Sequence, residues 1–265
     1  SRMIPSFNWL SLLLSFIFST TQTPATQKGL QLVWHDEFDG RGLPDSSKWS
    51  YDVGGHGWGN NELQFYTAGR KENAHLENGK LIIEAIREDR EGKNYTSARL
   101  VTRGKGDWQF GRVEVRAKIP RGRGTWPAIW MLASTTDRKW PDDGEIDIME
   151  HVGYDQGKIH ATVHCKKYNH IIGTQKSAQI MLPDCSDNFH VYAVNWNKDS
   201  VEIAVDGKPY YSFTNDGSGY DSWPFDNKMH LILNIAVGGN WGGSQGVDTT
   251  IWPQRMEVDY VRVYQ

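Results

Sequence analysis

Gly144-Glu145-Ile146-Asp147-Ile148-Met149-Glu150-His151-Val152 sets three acids among Ile, Ile and Met. A solvated charge run would not place aliphatic residues between its acids. Residues 145 to 148 alternate acid and apolar, the period of a strand with one face buried. Glu145 and Asp147 then share one face, and Ile146 and Ile148 the other. Strict alternation would carry Glu150 into the core, where an unpaired carboxylate is costly. One β-bulge near Met149 removes the conflict by returning Glu150 to the acidic face. An edge strand would also solvate a row of acids, but edge strands usually mix signs or use Lys. Three like charges in a row repel and raise one another's pKa. Such a row suits chemistry that needs one charged and one protonated carboxyl, as glycoside hydrolysis does.

The rest of the chain reads as strands and turns. Lys80–Ala85 is mostly apolar. Val113, Val115, Ala117 and Ile119 alternate with Glu114, Arg116 and Lys118. Val201, Ile203 and Val205 lead into Asp206-Gly207, a hairpin signal. Met229–Val237 and Met256–Tyr264 are further strands, and no long 3.6-residue period interrupts them. Many short strands without helices predict an all-β sandwich. The 265 residues suffice for one large domain, expected over 29–265. A net charge of −3 leaves no basic footprint for nucleic acid. Twelve Trp suggest flat platforms for the CH faces of sugar rings, although several must be core.

Gly144 to Gly153 resembles the signature of glycoside hydrolase family 16 in its bulged Glu-x-Asp-x-x-Glu form, as in bacterial laminarinases, which are endo-β-1,3-glucanases. The unbulged form marks lichenases and xyloglucan transglycosylases. The resemblance runs from about Leu32 to Gln265. It implies a β-jelly roll of two antiparallel sheets with a concave substrate cleft. It also implies a secreted, monomeric, retaining hydrolase of β-glucan, with Glu145 as nucleophile and Glu150 as acid/base. Asp147 would hydrogen-bond Glu145 and hold it charged. The same resemblance places Asn60, Arg99, Trp126, Trp130, Trp140, His164, Trp241 and Gln245 against the glucan. Trp140 is expected to stack on a sugar. Structural calcium, remote from catalysis, would take Asp259 and the carbonyls of Glu37 and Gly79. Arg262 competes for Asp259 as a partner. Alternatives are a mixed-linkage glucanase or a galactanase of the same family, a transglycosylase, and a glucan-binding lectin on the same sandwich. The intact acids argue against the lectin.

His160 and His164 have the i, i+4 spacing of a helical metal site, but on a strand they stand about 13 Å apart. Residues 1–28 read as a cloning remnant (Ser1-Arg2), a signal peptide with an apolar run at Trp9–Phe18, and a short polar linker. The apolar run is too short to span a bilayer, so no membrane association is expected once the leader is removed. In an exported chain the two cysteines, Cys165 and Cys185, are expected to pair with each other.

Overall fold

The computed structural model describes residues 29–135 and 137–265. The expected leader lies outside the described residues. Strands account for all the regular structure among them. They are β1 (Leu32–Asp36), β2 (Ser50–Asp52), β3 (Gln64–Tyr66), β4 (Ala74–Glu77), β5 (Lys80–Arg90), β6 (Lys93–Ser97), β7 (Arg99–Val101) and β8 (Gly111–Lys118). There follow β9 (Thr125–Ala133), β10 (Glu145–Glu150), β11 (Lys158–His164), β12 (Lys176–Met181), β13 (His190–Trp196), β14 (Ser200–Val205), β15 (Lys208–Thr214), β16 (Met229–Val237) and β17 (Gln254–Tyr264).

Two sheets pack face to face. One runs β15-β14-β13-β8-β17-β5-β6-β3, with β1 on β17 and β4 on β5. The other runs β12-β11-β10-β9-β16-β7-β2. Pairing is antiparallel except between β3 and β6. This is the expected jelly-roll sandwich.

The alternation read from the sequence decides what lies between the sheets. Val113, Val115 and Ala117 of β8 meet Met229, Leu231, Leu233 and Ile235 of β16 in one continuous core. All nine residues of β16 are buried. Its second face, with Asn234 and Ala236, forms part of a cleft floor. Val205 pairs with Lys208 across Asp206-Gly207, and both turn residues have positive φ (51° and 77°). The left-handed conformation of both central residues matches the twist of the flanking strands.

β10 is no edge strand. It lies between β9 and β11, so its backbone groups are paired on both sides. The bulge is where the sequence requires it. Asp147 faces Trp130 and Met149 faces Ile129, so Ile148 is the extra residue against β9. Ile146, Ile148 and Met149 all enter the core.

The expected Cys165–Cys185 bridge is not formed; both are buried free thiols. Cys165 follows the last residue of β11, whereas the Cys185 Sγ accepts from Gln156 beside the first. Seven strand residues span about 23 Å, far beyond the roughly 7 Å Cα separation that a disulfide tolerates.

Candidate active site

A cleft of about 1060 Å³ crosses the outer face of the seven-stranded sheet. Strand periodicity builds it. Alternate residues of β9 (Trp126, Ala128, Trp130, Leu132), β10 (Glu145, Asp147, Glu150) and β11 (His160, Thr162, His164) all point into it. Register then arranges them in rows. Glu145 lies between Leu132 and His164, Asp147 between Trp130 and Thr162, and Glu150 between Ala128 and His160. Gly144 leads into the acidic strand at φ +92°, where an added Cβ would come within 2.8 Å of the Pro224 ring.

Each end of the acid row is held by an indole. Trp140 donates its Nε1–H to Glu145 Oε1 at 3.1 Å, and Trp126 donates to Glu150 Oε2 at 3.0 Å. The Nε2 of His164 lies 3.3 Å from Asp147 Oδ2 and 3.7 Å from Glu145 Oε2. Asp147 is 2 % exposed and sits between the two glutamates, in side-chain contact with both.

Burial raises the pKa of all three carboxyls, and their mutual repulsion raises them further. Glu145 and Asp147 are pushed well above the ordinary carboxylate range. Glu150 is pushed up to about 7 by burial and by the charge of Glu145. Contact between carboxyl groups requires shared protons, so the row holds fewer than three charges near neutral pH. Burial and the Asp147 carboxyl raise the pKa of Glu145, and the His164 imidazole and the Trp140 N–H act in the opposite sense, toward its charged form. The sharing partner is then Asp147, which is in side-chain contact with Glu145 and has the His164 imidazole beside its Oδ2.

Glu145, Asp147 and His164 offer ligand atoms within 4.8 Å of one another. They are the single group of His, Cys, Asp and Glu among the described residues that could hold a metal ion. A cation there would neutralise the best nucleophile in the cleft.

Most of the expected glucan contacts line the cleft. Arg99 lies between the rings of Trp58 and Trp130, 4.7 Å from each, with Asp52 at 2.9 Å. Trp130 donates to Asn234 at 2.7 Å. Trp241 stands edge-on to Trp126 and His160. Asn60 lines the cleft but donates to Glu62 at 2.9 Å. Trp140 lines it while also positioning Glu145, a role not evident from the sequence. Gln245 is a correction. It is exposed and does not line the cleft. The tight turns of residues 239–246 direct Trp241 inward and leave Gln245 offering its carbonyl to Arg123.

Sequence reasoning missed His56, His170, Gln175, Ser177 and Gln179, which also line the cleft. For the last three a signal was available, since polar residues at 175, 177 and 179 have strand period. The expected calcium ligands converge on the opposite sheet. Asp36 pairs with Val261, and Leu81 with Val258, which brings Glu37 and Gly79 beside Asp259. Asp259 pairs with Arg116 at 2.7 Å, while Arg262 pairs with Glu37 instead.

Known proteins resemble this chain over most of its length. The profile of glycosyl hydrolases family 16 matches residues 60–262. A beta-glucanase of Rhodothermus marinus is 56 % identical over 246 residues, covering 89 % of this chain and 85 % of the relative. The X-ray structure of the laminarinase from that organism superposes with a TM-score of 0.88, covering 89 % of this chain and 97 % of that one. The laminarinase catalytic domain from Thermotoga maritima is 43 % identical with a TM-score of 0.81, covering 89 % and 98 %.

Proposed function

The chain belongs to glycosyl hydrolases family 16, and from that premise we propose an endo-acting, retaining hydrolase of β-1,3 linkages in laminarin-like glucans. The observation that carries the chemistry is the bulged strand β10, which turns Glu145 and Glu150 to one cleft with Asp147 between them. The names of the similar glucanases support the substrate.

In the first step the charged Glu145 attacks the anomeric carbon and the glycosidic C–O bond breaks. Glu150, protonated, gives its proton to the leaving oxygen. Glycosylation then removes the negative charge of Glu145. That charge is one cause of the raised Glu150 pKa, so Glu150 ionises more readily once it is gone. As a base, Glu150 takes a proton from water, the water oxygen attacks the anomeric carbon, and Glu145 leaves as carboxylate. Asp147 shares a proton with Glu145 in the resting row and holds it in place. Trp140 and Trp126 orient the two glutamates through their N–H groups.

Calcium belongs to this reading as a structural ion, held by Asp259 and the carbonyls of Glu37 and Gly79. The register that gathers these residues supports it. As a hard cation it would tie the start of the domain to β17. The enzyme acts outside the cell. Its polymeric substrate and the apolar run at Trp9–Phe18 support that placement, and cell fractionation tests it.

The main experiment is product analysis on laminarin, lichenan and agarose side by side, with proton NMR of the first product. Oligosaccharides from laminarin with the β-anomer appearing first are expected. Cleavage of agarose alone, or the α-anomer first, would overturn the substrate or the mechanism respectively.

A further inference from the structure

Glu145, Asp147 and His164 converge in a way that sugar chemistry does not require. Glu145 pairs with His164, and Asp147 with Thr162, so the three side chains rise from two hydrogen-bonded strands in fixed register. The His164 Nε2 lies 3.3 Å from Asp147 Oδ2 and 3.7 Å from Glu145 Oε2. Ligands of one tetrahedral zinc ion, each bonded at about 2.0–2.2 Å, stand about 3.4 Å from one another. Both His164 contacts have that spacing, and all three ligand atoms lie within 4.8 Å.

Orientation points the same way. Asp147 is 2 % exposed, and its 3.3 Å contact with His164 is not aligned as a hydrogen bond. Two ligands of a common ion aim at the ion and not at each other, diverging by about 35° in a tetrahedron of this size. All three residues line the cleft, so the fourth corner of the tetrahedron opens to it. Trp140 keeps its N–H on the other Glu145 oxygen at 3.1 Å, the kind of outer partner that fixes a ligating carboxylate. A dication would also offset the repulsion between two buried carboxyls.

We propose that Glu145, Asp147 and His164 form a zinc site, and that zinc held there blocks the cleft in competition with glucan. The binding stands on this geometry, and the inhibition rests on the glucanase reading above. Ligand chemistry selects the ion. An imidazole with two carboxylates suits zinc. Calcium takes about six to eight oxygens at longer bonds, so it does not fit a corner that includes a ring nitrogen. Zinc on Glu145 Oε2 occupies the lone pair and offsets the charge that attack on the anomeric carbon needs. His190 shows the contrast. Its opposite ring nitrogens meet Asp184 at 2.9 Å and Asp206 at 2.5 Å, so a single ion cannot reach both carboxylates.

Calorimetric titration of the parent protein with zinc chloride, in the presence of calcium, reads the site without turnover. Zinc should bind. His164→Gln and Asp147→Asn should each weaken it by at least about tenfold, since losing even an outer partner of a ligand costs that much. In laminarin hydrolysis by the parent, zinc should raise KM and leave kcat unchanged, and calcium chloride at the same concentration should not inhibit. Absence of zinc binding, or unaltered affinity in both variants at the parent melting temperature, would overturn the site. So would inhibition by zinc that persists at saturating laminarin, a result that needs no variant to fold. If the parent releases no product from laminarin, the glucanase reading fails, and the titration still decides the zinc site.

Discussion

Trp126 on β9 donates its indole N–H to Glu150 across the strand boundary at 3.0 Å. The bond favours the charged carboxylate, whereas burial and the charge of Glu145 favour the protonated acid. The balance leaves Glu150 titrating at about 7, near the pH at which one group must serve as acid and then as base.

The sign of one pH effect follows. Glu150 must start protonated, so kcat/KM falls as pH rises through its pKa. Trp126→Phe removes the donor that lowers this pKa. The alkaline limb of the pH profile should then move upward by about one unit. A downward shift would mean that the indole stabilises the acid form.

The roles of the glutamates separate in rescue experiments. Glu145→Ala should be inactive on every substrate. Glu150→Ala should retain turnover of aryl glycosides with good leaving groups, and azide should raise it by attacking the intermediate without a base. Asp147→Asn should be impaired, but less than Glu145→Ala. A β-glycosyl azide from Glu145→Ala and an α-glycosyl azide from Glu150→Ala would exchange the assignments.

Burial of Glu150 has a stability consequence. Its folded pKa lies above its unfolded value, so the folded state binds more protons between about 4.5 and about 7. Stability is therefore full below that window and is lost as pH rises through it. Glu150→Gln should be more stable than the parent at pH 8 by on the order of 2 kcal/mol, a rise in Tm of several degrees, with little gain at pH 4. Thermal melts at both pH values check this.

Calcium at Asp259 should stabilise the fold without joining the chemistry. A chelator should lower Tm, because an ion that binds only the folded chain adds stability by mass action. Turnover at low temperature should persist. Loss of turnover with Tm unchanged would move the ion to the cleft.

Two thiols per chain should be titrated after denaturation without reductant, and very few before it. Both cysteines are buried, and burial raises both thiol pKa values. Finding none after denaturation would mean that the ends of β11 come together in solution.

Alternation along β8 and β14 was enough to predict the sandwich, because a period of two leaves a strand only one way to bury its apolar face. The bulge was legible too. Glu145, Asp147 and Glu150 cannot share a face without an extra residue, and burying a lone carboxylate is too costly for the alternative. The period-two signal of Gln175, Ser177 and Gln179 was present in the chain but has meaning only once β12 is seen to border a cleft.

What tertiary structure decided were the contacts between residues distant in sequence. Trp140 could be read as a sugar platform, and only the path of the β9–β10 loop turns its N–H to Glu145. Gln245 and Trp241 were both expected against the glucan, and the turns after β16 send Trp241 into the cleft and leave Gln245 exposed. Two cysteines invited a bridge that the length of β11 prevents. Local pattern determines which face a residue takes, since the choice is fixed by its immediate neighbours along the strand. Which residues meet across that face depends on pairing register and loop path, and these are set by the packing of the whole sandwich.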